Sequence, residues 1–329
     1  MMITLKETAE KLKAANKILI TSHIQPDGDA IGSTLATMQI LRNMGKTAQI
    51  FIDDTVRKNL HVLPHFEEIR RPSEDERFDA DLLLILDTSP DRIGKVSKLT
   101  DAPILNIDHH VTNSGEGVEL YREHEAAATC EIIFKLAKEL DAEITADIAT
   151  CLYTGIATDT GFFQFSNTRA ETLKTAGELI SCGVKPNFIS EELEKRSVDE
   201  VRGMIIALNS TKVFFGGKVA GMFLNLATMK KFDSTEGFID LIRVIDGVDV
   251  AFIISEREEN ICRVSMRSKG VDVSKIANSL GGGGHIRAAG CTLKTSLDDA
   301  QKILIAAIAK AINAENLPCE GVALADFEQ

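Results

Sequence analysis

The sequence predicts an α/β protein: a mostly parallel sheet flanked by helices in the N-terminal part, then a smaller α+β domain, with the active site in the cleft between them. Three observations carry this expectation. Roughly the first 190 residues alternate short β-branched or leucine-rich runs with longer amphipathic stretches, the mark of βαβ units. After about residue 185 that pattern gives way to a charged helical stretch and then to hairpins. The length, 329 residues, is about twice that of a typical domain.

In chain order, KILITSH (17–23), AQIFID (48–53), LLLILDT (82–88) and ILNIDHH (104–110) read as strands. Residues 30–44 read as a helix with Ile31, Leu35, Met38 and Leu41 on one face and Gly45 as its stop. Further helices are expected over 127–140, 146–157 and 169–182, the last with Thr168 as N-cap and Gly183 behind it. NFISEELEKRSVDEVRGMIIALNS reads as a helical connector, which divides the chain into domains at 1–188 and 212–329 around a connector at 189–211. Hairpins should turn at Gly216 and Gly217 and near Glu258–Asn260. A helix over 272–280, a loop of four glycines (281–284), a short strand at CTLK and a C-terminal helix with a capping box of Ser296 and Asp299 complete the chain.

Composition narrows the function. Apolar residues make up 44% and charged residues 26%, which excludes collagen-like and wholly disordered chains. No apolar run approaches the roughly 20 residues that span a bilayer, and the N-terminal segment carries Glu7 and Glu10 where a secretory leader would be apolar. A cytoplasmic protein without a membrane partner is expected. Six cysteines (130, 151, 182, 262, 291 and 319) form no C-x-x-C pair and read as reduced thiols. Thirty-seven basic against 49 acidic residues give a net charge of −12, which argues against a protein that coats DNA. An anionic ligand must therefore be met locally, by divalent metals or by a small basic pocket.

The ends of the strands supply candidates for the first device, because ligands of open α/β sheets bind beyond the carboxyl ends of the strands. The first strand runs into His23, Pro26, Asp27, Gly28 and Asp29; the third ends in Asp87; the fourth ends in Asp108, His109 and His110. The helix over 146–157 runs into Thr158, Asp159, Thr160 and Gly161. Pro-Asp-Gly-Asp alone is an ordinary turn before a helix N-terminus. Four separate elements that each end in Asp or His are not accounted for in that way. Carboxylates held together repel and raise one another's pKa unless cations sit among them. Mixed carboxylate and imidazole donors suit Mn2+, Mg2+ or Fe2+, and a pair of such ions suits in-line displacement at phosphorus.

H-x-x-P-D-G-D-x-x-G-S, D-T-S, D-H-H and T-D-T-G, in this order, resemble the motifs of the DHH phosphoesterase superfamily, and GGGGHIRAAG (281–290) resembles the glycine-rich signature of its DHHA1 domain. The length is that of the short, NrnA-type members. The resemblance implies two divalent ions, Mn2+ foremost, with His23, Asp27 and Asp87 on one and Asp29, Asp87, His109 and Asp159 on the other. It also implies Asp108 next to a ligating imidazole, whose tautomer and orientation it can fix, and His110 facing the scissile phosphate, either to stabilise its charge or to help protonate the leaving oxygen.

The glycine run agrees on its own terms, since successive glycines let backbone N–H groups approach an anion. Between Cys262 and Gly290, Arg263, Arg267, Lys269, Lys275 and Arg287 stand against Asp272 alone, a local charge of +4 in an acidic chain. Arg267, Ser268, Lys269, Gly282, Gly283, Gly284 and His285 are the expected substrate contacts. By resemblance the substrates are short RNA oligonucleotides and mononucleotide bisphosphates such as 3'-phosphoadenosine 5'-phosphate, with cyclic di-AMP or pApA as the alternative. A nucleotide sensor that binds without cleaving is the alternative of another class. A RecJ-like exonuclease would be expected to carry more nucleic-acid-binding surface. The oligomeric state, a homodimer included, stays open.

Overall fold

The structure, a computed structural model, describes residues 1–231, 235 and 237–326. The chain divides into two compact units, Met1–Lys195 and Arg196–Gln329.

Among the described residues the first unit builds a five-stranded, all-parallel sheet from β1 (Lys17–Thr21), β2 (Thr47–Ile50), β3 (Leu82–Leu86), β4 (Ile104–Asp108) and β5 (Glu119–Arg122), in the order β2-β1-β3-β4-β5. Every residue of β3 is buried, as a continuous apolar run in a parallel sheet should be. Alternate residues serve different faces. Ile18, Ile20, Leu84, Leu86, Leu105 and Ile107 join the large core under the helices, while Leu19, Leu83 and Ile85 join a smaller one with Phe51, Ile93, Val96 and Leu99. The strand order reverses direction between β1 and β3, which opens a crevice at their carboxyl ends. The sequence gives no strand signal at ELYR, and β5 forms there as the sheet edge because the isolated bridge of Met2 to Leu120 and the pairing with β4 hold it from both sides.

The helices are α1 (Leu5–Ala14), α2 (Gly28–Asn43), α3 (Thr129–Glu139), α4 (Ala146–Asp159), α5 (Ala170–Ser181) and α6 (Pro186–Glu194). Two expectations need correction. First, α2 is not half-exposed: every residue from Gly28 to Leu41 is buried. Three of its buried polar side chains bond back to the helix, Ser33 and Thr34 donating to Ala30 O and Gln39 to Leu35 O, while the Thr37 hydroxyl is buried without a hydrogen-bond partner. Second, Thr168 does not cap α5. The N-cap is Arg169, whose backbone N–H donates to Thr172 Oγ1.

The second unit starts with α7 (Val198–Asn209). Its mixed sheet holds β6 (Lys212–Phe214), β7 (Val219–Leu224), β8 (Val250–Glu258), β9 (Ile261–Ser268), β10 (Gly283–His285), β11 (Ala288–Leu293) and β12 (Val322–Ala323), ordered β10-β11-β9-β8-β7-β6-β12 with only β7 and β8 parallel. Both expected hairpins form, β6–β7 and β8–β9. Between β7 and β8 lie α8 (Leu226–Met229) and α9 (Phe238–Arg243), and α10 (Val273–Ser279) and α11 (Leu297–Ala311) follow β9 and β11. The sheet buries both faces, one in a cluster with α10 and α11, the other in a cluster with Ala207 of α7, Met229 and α9. The glycine run is not only a loop. Its second half is the edge strand β10, paired with β11. At Ser296 half of the expected capping box forms: the hydroxyl accepts from Asp299 N–H, and the Asp299 carboxylate accepts from that same hydroxyl rather than from the Ser296 backbone.

Candidate metal centre

Beyond the carboxyl ends of β1, β3 and β4 the structure brings together all eight residues singled out in the first unit. The potential ligand atoms of His23, Asp27 and Asp87 lie within 4.8 Å of one another, as do those of Asp29, His109 and Asp159, and those of Asp87, Asp108, His109 and His110. Asp87 is central. Its Oδ2 is 3.6 Å from His23 Nε2, and its Oδ1 is 3.5 Å from His109 Nε2 and 3.7 Å from His110 Nδ1. It sits directly after β3 with φ of 61°, a left-handed conformation that costs an L-residue about 1–2 kcal/mol and that Asp tolerates better than most. The turn ends the strand and leaves the side chain in the crevice.

Backbone groups hold the carboxylates in place. Asp27 caps α2, its Oδ1 accepting from Asp29 N and Ala30 N. Asp29, fully buried on the first turn of α2, accepts from Thr129 N at 2.6 Å and Cys130 N at 2.8 Å, the first two N–H groups of α3. The Thr129 hydroxyl donates to Asp87 Oδ1 at 3.0 Å. Gly155 of α4 is required for this packing, because a Cβ there would lie 2.3 Å from Cys130 Sγ and 2.7 Å from Asp29 Oδ1. Thr129 and Cys130 are site residues that the sequence reading missed. Both hold Asp29 through backbone N–H groups, which leave no signature of residue type, and Thr129 adds its hydroxyl on Asp87.

The histidine tautomers follow from their fixed partners. His23 Nδ1 lies 2.9 Å from Ile24 O and His109 Nδ1 3.3 Å from Ala126 O; a carbonyl only accepts, so both Nδ1 atoms carry the proton. Each ring therefore turns the Nε2 lone pair toward carboxylates: His23 toward Asp87 and Asp27, His109 toward Asp87 and, at 3.3 Å, Asp159. Imidazole lone pairs and carboxylate oxygens are all acceptors, and a cation among them satisfies both at once, so the donor set fits divalent metal.

The titration behaviour has the same origin. Burial, then the charges of Asp29, Asp27, Asp159 and Asp108, push the Asp87 carboxyl well above the usual range. Burial, then Asp29, Asp27 and Asp108, do the same to Asp159. Burial lowers the His109 pKa and outweighs the nearby Asp29, which favours the neutral, ligating form. For Asp108 and His110 the balance reverses. Burial raises the Asp108 pKa, but its bonds to His110 outweigh it; burial lowers that of His110, but the bond to Asp108 and its charge outweigh it. Asp108 Oδ1 accepts from both His110 Nδ1, at 2.7 Å, and His110 N, at 3.0 Å. The pair favours its ionic form, and Nδ1 is engaged with Asp108.

In the second unit, Arg267 on β9 stands opposite Ala288 on β11, which stands opposite His285 on β10. The three share one cross-strand row and so one face of the sheet, with the small Ala288 between the longer side chains. Met266 and Ala289, one residue along, point into the core of α10 and α11, which puts Arg267 and His285 on the α9 face. Gly284, with φ of 140°, faces Ala289 across the ladder, and a Cβ on it would lie 2.6 Å from Ala288 O. Gly282 leads into this edge, and Gly283 is its first residue. Lys269 is exposed. Ser268 is buried, and its hydroxyl donates to Val271 O. The cysteines are free thiols, as expected.

Comparison with known proteins fits both units. Residues 17–156 match the DHH family, N-terminal domain, and residues 221–313 match the DHHA1 domain. The bifunctional oligoribonuclease and PAP phosphatase NrnA of Thermus thermophilus is 38% identical over 91% of this chain and 92% of its own, and its namesake in Bacillus subtilis is 28% identical over 91% and 96%. The crystal structure of an exopolyphosphatase-related protein from Bacteroides fragilis superposes with a TM-score of 0.86 at 26% identity, covering 95% of this chain and 97% of that one. With its two domains matched in order and a relative of this similarity across nearly its whole length, the chain belongs to the DHH–DHHA1 family of metal-dependent phosphoesterases, in which the NrnA enzymes fall.

Proposed function

We propose that this chain is a cytoplasmic phosphohydrolase that cleaves short oligoribonucleotides and removes phosphate from 3'-phosphoadenosine 5'-phosphate. The observation that carries it is the convergence of two Nε2 lone pairs on the two oxygens of Asp87. We assign two divalent ions, Mn2+ ahead of Mg2+ or Fe2+, to His23, Asp27 and Asp87 and to Asp29, Asp87, His109 and Asp159. Bound there, such ions supply Lewis-acid charge to phosphoryl oxygens and acidify water. The rest is the work of side chains. The α3 N-terminus and Thr129 fix the directions of Asp29 and Asp87, so no reorganisation is needed as charge develops on phosphorus. His110, its Nδ1 held by Asp108, presents Nε2–H to the phosphate or to the leaving oxygen.

Arg267, Lys269, His285 and the glycines of 282–284 bind the remainder of the nucleotide, with Ser268 shaping the turn between Arg267 and Val271. A compact basic row suits a short, anionic substrate better than a long strand, which calls for an extended basic groove. One relative favours a second reading: the cyclic-di-AMP phosphodiesterase PdeA of Listeria monocytogenes is 26% identical over 91% of this chain, which spans 48% of that protein.

The test is a Mn2+-dependent turnover panel with a 5'-phosphorylated RNA dimer, a longer RNA, 3'-phosphoadenosine 5'-phosphate and cyclic di-AMP, each beside Asp87→Ala. Cleavage of the dimer and the bisphosphate, abolished in the variant, is expected. Preference for cyclic di-AMP moves the role to cyclic dinucleotides. Binding without turnover overturns the enzyme reading in favour of a sensor.

A further inference from the structure

Asn113 lies in the loop after β4 and is 3% exposed. Its Nδ2 donates to Asp108 Oδ2 at 2.7 Å, to Asn106 Oδ1 at 2.8 Å and to Thr88 O at 3.2 Å, and its Oδ1 accepts from Gly115 N at 3.0 Å. Asn106, fully buried, donates in turn to Ile85 O at 3.0 Å and Thr88 O at 2.8 Å. Two amides thus tie the end of β3, one residue past Asp87, to the carboxylate of Asp108.

The division of labour on Asp108 is the informative feature. Oδ1 receives both bonds from His110, and Oδ2 receives the bond from Asn113. A carboxylate held at one oxygen cannot rotate about its Cβ–Cγ bond without breaking that hold. The direction of Oδ1 is therefore set by Asn113, and the His110 ring follows Oδ1.

We propose that Asn113 is a positioning residue for the reaction: through Asp108 it locks the His110 imidazole in the orientation that presents Nε2 to the substrate. The inference rests on the reading of His110 as the group that faces the phosphate. It differs from a purely structural role in one respect, that the effect of Asn113 passes through His110 and disappears when His110 is gone.

The experiment is a double-mutant cycle on the full chain with the 5'-phosphorylated RNA dimer, using Asn113→Ala, His110→Ala and the pair, with thermal melts to confirm folding. Asn113→Ser, which keeps a smaller donor, stands in if the alanine variant does not fold. Asn113→Ala should lower kcat by about 10- to 100-fold, the usual effect of removing a partner behind a working group, with KM changed by less than about threefold. In the His110→Ala background the same change should cost less than about threefold. Nitrogen-15 spectra of the histidine rings, with the His110 signal assigned by its loss in His110→Ala, should show its Nδ1 resonance shifted or broadened in the Asn113 variant.

Additive losses, or an unchanged His110 ring signal, overturn the proposal. A His110→Ala enzyme with wild-type kcat overturns instead the reading of His110 itself, so the two failures are told apart.

Discussion

The two units handle charge in opposite ways. In the first, Asp29, Asp87 and Asp108 are at most 1% exposed and every one accepts a hydrogen bond from a backbone N–H, an amide, a hydroxyl or an imidazole. In the second, Lys269, His285 and the glycines at 283 and 284 are exposed, on a three-residue edge strand or at a turn. Chemistry at phosphorus needs donors and acceptors fixed before the substrate arrives, which requires burial and tolerates its cost. Binding a short anion needs reach and a backbone that can be approached closely, which an edge of glycines provides. The first unit should therefore control kcat and the second KM.

The largest effect should come from the centre of the first unit. Asp87→Asn should lower kcat by on the order of 10³ or more, since it removes the carboxylate on which both histidines converge. The same change should make the metal-free protein more stable at neutral pH, because it removes a carboxyl whose ionisation burial and the neighbouring carboxylates oppose in the folded state. Turnover with Mn2+ and thermal melts in chelator measure the two, and a variant that loses stability along with activity breaks the comparison. Next come Arg267→Ala and His285→Ala, each expected to lower kcat/KM by about 10- to 100-fold through KM, as loss of uniform binding does. If kcat falls instead and KM holds, the second unit takes part in the chemical step. Smaller still is Gly155→Ala. The added methyl meets Cys130 Sγ and Asp29 Oδ1, and overpacking of this kind costs about 1–3 kcal/mol. It should weaken Mn2+ binding, read by titration calorimetry, while leaving KM unchanged; unaltered metal affinity would mean that the α3 end does not set the Asp29 geometry.

What was legible in the sequence divides along the same line. His23, Asp27, Asp87, Asp108, His109, His110 and Asp159 could be found because side-chain type and position at a segment end both mark them. Asn113 and Asn106 could not, since an amide in a loop or strand reads as a turn or a spacer until the carboxylate it bonds is folded against it. Thr129 and Cys130 were hidden because backbone N–H groups hold Asp29, and the Thr129 hydroxyl on Asp87 looks like any helix-start threonine until the two are folded together. The burial of α2 on all sides was missed for a related reason. Its Ser, Thr and Gln residues look solvent-facing in the sequence, and for Ser33, Thr34 and Gln39 it is bonds to the helix's own backbone that let them be buried. In the second unit the glycine run was visible, but not its pairing with β11, which depends on register rather than composition.

The smallest effect, and the one that isolates the buried charge, is in the pH dependence of stability without metal. Asp87 and Asp159 have folded-state pKa values raised by burial and by their neighbours. Below the ordinary aspartate range near about 4 both are protonated, folded or not, and contribute nothing. Above it the unfolded chain gives up these protons while the folded chain keeps them, so the folded state binds more protons and stability falls as pH rises, until the raised folded values are passed. The pKa values of His109 and His110 are shifted as well, in opposite directions, so the wild-type curve alone is a mixture. The difference between Asp87→Asn and wild type removes most of that mixture. In chelator, the Tm advantage of Asp87→Asn should grow from nothing near pH 4 to a few degrees at neutral pH, about 2–4 °C for each kcal/mol in a domain of this size. With Mn2+ present the carboxylates are held ionised and wild type should become the more stable of the two. A difference that stays flat from pH 4 to 7 in chelator would mean that the buried carboxylates are not a cost that metal relieves, and the contrast between a pre-set centre and an adaptable binding edge would lose its energetic basis.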